Sequence, residues 1–183
     1  SHALEHMMFK GTPRYAAGKF ATTVAAHGGR QNAFTSNDYT AYYEEWSADN
    51  VELSFDLEAD RMRNLVIDED TFKKEINVVL EERRLRTDDS PQSLAVEASQ
   101  AVAYMTSPYR YPVIGWEADI KNMSAADLRA WYQRWYGPNN AIVVVVGDVE
   151  PDAVHTLAKK YFGPLAKSDI APPKDRPEVA QNG

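Results

Sequence analysis

His2-Ala3-Leu4-Glu5-His6 places two histidines four residues apart, with a glutamate directly before the second. On a helix, positions i and i+4 stand one above the other on a single face, so both imidazoles can reach one cation. Glu5, three residues after His2, borders that face and is placed to take a proton from a water on the cation. The order H-x-x-E-H inverts the H-E-x-x-H metal motif. Read blandly, the pentapeptide is a chance match at a helix start. A third ligand decides between the two readings.

Residues 68–84 supply ligand candidates. Asp68, Glu69 and Asp70 crowd the start of this stretch and Arg83 and Arg84 its end, as a helix dipole prefers. Phe72, Ile76, Val79 and Leu80 follow the three-and-four spacing of a buried stripe. Glu75 and Glu82 lie two turns apart on a face beside that stripe, where a carboxylate is costly unless paired or bound to a metal. Glu81, one step round, is expected to be solvated, and by spacing alone Glu75 and Glu82 read equally as solvated helix glutamates. The chain has no cysteine, which excludes a closed thiolate site.

Other elements must position these residues. Lys19 to Ala26 reads as a helix ended by Gly28-Gly29. Gln31–Ser36 and Tyr39–Trp46 read as two strands around a turn at Asn37-Asp38. Asn50–Val66 is expected to be helical, with Val51, Phe55, Leu57, Met62 and Leu65 turned inward and Asp49 or Asn50 as cap. Pro91–Met105 reads as another helix, and Ser107–Trp116 as an ordered loop over the site, with Trp116 either its packed anchor or a substrate contact. Ser124 and Asp127 open a helix with a capping box, whose Trp131, Tyr132, Trp135 and Tyr136 are expected in the core. Ala141–Val146 is an apolar run of the kind that forms a central strand covered on both faces. Pro151–Tyr161 reads as a last helix. Residues 1–165 make one domain and residues 166–183 a linker or tail. Phe9 is either core or a pocket wall; His27 and His155 have no partners at ligand spacing.

The 183 residues, 44% of them hydrophobic, can build a sizeable core. A net charge of −7 argues against a nucleic-acid partner, and the cluster Arg83-Arg84-x-Arg86 reads as a helix end. No stretch is long enough to span a membrane, and no signal-peptide pattern is visible.

Several motifs, in order, resemble the pitrilysin/insulinase family of zinc peptidases, in its smaller bacterial, processing-peptidase-like branch. They are Ser1-His2-Ala3-Leu4-Glu5-His6-Met7-Met8-Phe9-Lys10-Gly11-Thr12, then the run from Gly28 to Tyr43, Val78–Glu82, Pro138–Ala141 and Gly147-Asp148-Val149. The resemblance implies one Zn²⁺ held by His2, His6 and Glu82, the last 76 residues after His6. Glu5 would be the general base, and Glu75 a group that orients a ligand. It implies that Asn32-Ala33-Phe34-Thr35 is an edge strand to which an extended peptide adds by main-chain hydrogen bonds, with Asn32 and Ala33 holding the peptide. Implied too is an α+β fold with a mixed, largely antiparallel sheet and helices on one face, as in mitochondrial processing peptidase.

The expected activity is zinc-dependent cleavage of peptides or short unfolded polypeptides. The alternative is a non-catalytic partner subunit of a peptidase-like heterodimer. Family members carry strands upstream of the first ligand and a second homologous half, so this chain is expected to be the first half of a longer bacterial protein, periplasmic or cytoplasmic.

Overall fold

A computed structural model describes residues 1–172, 174, 179 and 180. Helix α1 (His2–Met7) has too few residues to stand alone in water. Burial of Leu4, Met7 and Ala3 fixes it against Leu65, Phe72, Val79, Leu128 and Tyr132. The chain then turns at Gly11, whose φ is +105°; a Cβ there would lie 2.6 Å from the backbone nitrogen of Ala17, so glycine is required.

Helix α2 (Lys19–Ala26) buries Phe20 and Val24, which form a smaller cluster with Leu57. Strands β1 (Arg30–Thr35) and β2 (Thr40–Glu45) pair antiparallel, with Asn32 opposite Tyr43 and Thr35 opposite Thr40. Helix α3 (Val51–Asn64) follows a short 3₁₀ turn and buries Phe55, Leu57 and the whole side chain of Arg61. That guanidinium lies over the rings of Phe20 at 4.4 Å and Tyr42 at 4.7 Å and pairs with Glu58, so the charge is buried with compensation.

Helix α4 (Glu69–Arg83) starts where Asp68 accepts a hydrogen bond from Thr71 N at 2.9 Å and runs into a π-helical turn over Arg84–Asp88. Helices α5 (Pro91–Ala103), α6 (Glu117–Asn122), α7 (Ala125–Trp135) and α8 (Pro151–Tyr161) complete the order. Ser124 and Asp127 form the expected capping box of α7. The fold is α+β and helix-rich.

Four expectations change. The sheet among the described residues is the β1–β2 hairpin, two-stranded and antiparallel, where a larger mixed sheet was expected. Ala141–Val146 forms no strand: Ile142 and Val146 are each 91% exposed and Val144 75%. A strand needs a neighbour for its N–H and C=O groups, and no ladder among the described residues reaches this run. The aromatic face of α7 is split as well. Tyr132 is buried and bonds to Leu65 N and Arg61 O, whereas Trp131 is 42% exposed against Trp135. Adjacent helical residues point about 100° apart, so 131 and 132 cannot share a face. Lastly, the expected tail begins docked. Ser168 is buried and exchanges hydrogen bonds with Asn139 at 2.9 and 3.0 Å. Within that tail, residues 173, 175–178 and 181–183 lie outside the described residues.

Candidate metal centre

Leu4 and Met7 point into the core, which turns the opposite flank of α1, with His2, Glu5 and His6, toward α4 and β1. Two turns of α4 then bring Glu75 and Glu82 to the same place. Glu82 Oε2 lies 3.6 Å from His2 Nε2 and 3.2 Å from His6 Nε2. Tetrahedral zinc with arms of about 2.0–2.1 Å separates its ligand atoms by about 3.3 Å, so this spacing suits one ion. One donor atom from each of the three residues lies within 4.8 Å of the other two. Two imidazole nitrogens and one carboxylate oxygen are the donor set of an open, catalytic zinc site.

The surroundings hold these groups in place. Glu82 Oε1 is bound by Arg86 at 2.8 Å, which leaves Oε2 facing the histidines. His6 Nδ1 donates to Glu75 Oε1 at 3.0 Å, and Glu75 Oε2 meets Lys10 Nζ at 2.6 Å. His2 Nδ1 is buried without a hydrogen-bond partner among the described residues. Burial first, and the neighbouring His6 second, lowers the His2 pKa and so favours the neutral ring that a metal needs. Glu5 accepts a short hydrogen bond from Thr35 Oγ1, itself 3.1 Å from Thr40 Oγ1. Behind these, Tyr42 and Tyr136 share a hydrogen bond of 2.7 Å.

Glu5 and the three donors open into a groove of about 700 Å³, within the usual range of about 300–1,000 Å³ for ligand clefts. One wall is β1, with Asn32, Ala33, Phe34 and Thr35; the other carries Val78, Val113 and Ile114. Strand β1 has β2 on one side and no strand on the other among the described residues. Ala33 N donates to Asn32 Oδ1 at 2.9 Å. The 107–116 loop reaches the hairpin tip, where Tyr109 donates to Asp38.

His2, Glu5, His6, Glu82, Asn32, Ala33, Phe34 and Thr35 thus converge, with Glu75 directly behind His6. Glu81 is exposed, as expected. Phe9 packs against Tyr42 and Arg61, and neither Phe9 nor Trp116 is among the groove's lining residues. His27 and His155 are exposed, and neither is among the groove's lining residues. Sequence reasoning missed Lys10 and Arg86, although each stands four residues after a site residue, a spacing that could have flagged both.

Residues 1–116, more than half of the chain, match the family described as Insulinase (Peptidase family M16). The chain belongs to the insulinase family. Residues 122–183 match the family's second described unit, the Peptidase M16 inactive domain. Zinc protease PqqE of Helicobacter pylori is 41% identical over 169 residues, covering 92% of this insulinase-family chain and 38% of that protein. YmxG of Bacillus subtilis, an uncharacterised zinc protease, is 31% identical over 178 residues, with 97% and 43% covered. The crystal structure of a protease from Helicobacter pylori superposes with a TM-score of 0.89 at 42% identity, covering 92% of this chain and 41% of that one. The first half of the periplasmic protease PqqL from Escherichia coli gives 0.84 at 25% identity, covering 98% and 40%. The chain therefore spans about two fifths of the length of the relatives it matches.

Proposed function

We propose that this domain cleaves peptide bonds in peptides or short unfolded polypeptides bound along β1, with Zn²⁺ held by His2, His6 and Glu82 and with Glu5 as general base. The observation that carries the reading is the convergence of three donor atoms beside Glu5, in a groove with a strand edge for one wall. When bound, zinc supplies a Lewis acid that polarises a carbonyl and lowers the pKa of water.

The chain's own residues do the rest. An extended peptide adds to β1 by main-chain hydrogen bonds, and the Ala33 amide becomes available to it once Asn32 Oδ1 releases it. Glu5 takes a proton from the attacking water and returns it to the leaving nitrogen. Thr35 holds the Glu5 carboxylate in position for both transfers. Val78, Val113 and Ile114 give the groove an apolar wall opposite β1. A second homologous half or partner subunit covers the groove. The intact set His2, Glu5, His6 and Glu82 favours an enzyme over a non-catalytic partner subunit.

Zinc stoichiometry of the purified chain by elemental analysis, beside Glu82→Gln, tests the ligand set. The expected result is equimolar zinc in the parent chain and an affinity lower by about 10–100-fold or more in the variant. Undiminished zinc in Glu82→Gln would mean that the third ligand is misassigned. Glu5→Gln is expected to keep its zinc and to abolish peptide turnover once the second half is supplied.

A further inference from the structure

We propose that Lys10 is a positioning residue of this centre. It fixes Glu75 so that Glu75 accepts from His6 Nδ1–H, which commits His6 Nε2 to the metal. The inference rests on the zinc reading above and adds a residue to it. Glu75 is buried on α4, its side chain about one-tenth exposed, and its two oxygens are divided between two partners. Oε1 meets His6 Nδ1 at 3.0 Å, and Oε2 meets Lys10 Nζ at 2.6 Å.

A buried carboxylate that loses its cation swings toward water or draws water in, because an uncompensated charge there is costly. Either change withdraws the acceptor that sets which nitrogen of His6 carries the proton. Outer groups of this kind orient a ligand ring and fix its tautomer.

The backbone is built to deliver Lys10 to this point. It lies four residues after His6, just past the end of α1, with its amide bonded to Met7 O at 2.9 Å. Gly11 then turns the chain away through a conformation that only glycine adopts easily. His2 offers a contrast, since its Nδ1 has no partner among the described residues. Of the two histidines, His6 is the one whose Nδ1 has a side-chain partner among the described residues, and Lys10 anchors that partner.

The test combines zinc affinity, by competition with a chelating dye, with crystal structures of metal-free Lys10→Met and Lys10→Arg. Lys10→Met is expected to bind zinc about 10-fold or more weakly, and Lys10→Arg to recover most of the loss. In a double-mutant cycle, Lys10→Met added to Glu75→Gln is expected to cost nothing further, because Lys10 acts through Glu75. Losses that add, or an unchanged affinity in Lys10→Met, would overturn the proposal. A merely structural lysine would give additive losses. Thermal melts identify a variant that fails to fold, and Lys10→Gln then replaces Lys10→Met. If the parent chain takes no zinc, the metal reading falls, and the crystal structures still decide the role of Lys10. Glu75 leaving His6 Nδ1 in Lys10→Met supports it; Glu75 remaining within hydrogen-bond distance overturns it.

Discussion

Glu44, on β2 opposite Gln31, has Oε2 bonded by Trp46 Nε1 at 2.8 Å and by Ser54 Oγ, while Oε1 is buried with no partner among the described residues. Burial first, and the nearby Glu58 carboxylate second, pushes its pKa up to about 7 from an ordinary 4.5. Arg61, the adjacent cation, is already engaged by Glu58. A raised carboxyl pKa means that the folded state holds its proton more tightly than the unfolded chain does. The stability linked to Glu44 is therefore complete below pH 4.5 and is lost as pH rises through about 7. Glu44→Gln should flatten the melting-temperature profile across that window and raise stability at its alkaline end. A profile as steep as the parent's would place the titrating group elsewhere. His2 shifts the opposite way: burial first, and the neighbouring His6 second, lowers its pKa.

Among the elements, α1 carries two of the three candidate ligands and Glu5 on six residues, and it is ordered by what it buries rather than by helix propensity. Leu4→Ala should cost about 2–5 kcal/mol by denaturant unfolding and weaken zinc binding as well, since both histidines ride on α1. Lowered stability with zinc affinity intact would show that the packing of Leu4 does not set where the two histidines stand. The helices α2, α4 and α8 and the hairpin were legible in the sequence because their signals are local: caps, periods of 3.6 or 2, and a two-residue turn. His2, His6 and Glu82 were legible through spacing and resemblance.

What escaped was set by distant partners. Arg83 read as a charge at a helix end, yet it is buried and bonds Glu97 at 2.8 Å and the Gly115 carbonyl at 2.9 Å, joining α4 to α5 and to the loop over the groove. The π turn after it has no pattern of its own in the sequence. Residues 141–146 had the composition of a strand, but composition does not say whether a neighbouring strand is at hand.

At the scale of the whole molecule, the run from Ala141 to Val146 displays apolar surface, with Ile142, Val144 and Val146 in the open. Extended aliphatic runs with unpaired backbone invite association. Val144→Lys should lower concentration-dependent self-association in sedimentation velocity and shift stability by no more than about 0.5 kcal/mol, as for an unpacked surface position. Unchanged association would direct attention to the exposed face of α5, where Val96 and Val102 are open. No helix among the described residues is long and apolar enough to cross a membrane.

The link between Tyr109 and Asp38, at 2.7 and 2.8 Å to the two carboxylate oxygens, joins the groove's two walls at the hairpin tip. Two surfaces that must be frozen relative to each other when a ligand arrives subtract that ordering entropy from affinity. Here that link is already made in the folded domain, so a ligand entering the groove has less of this ordering left to offset.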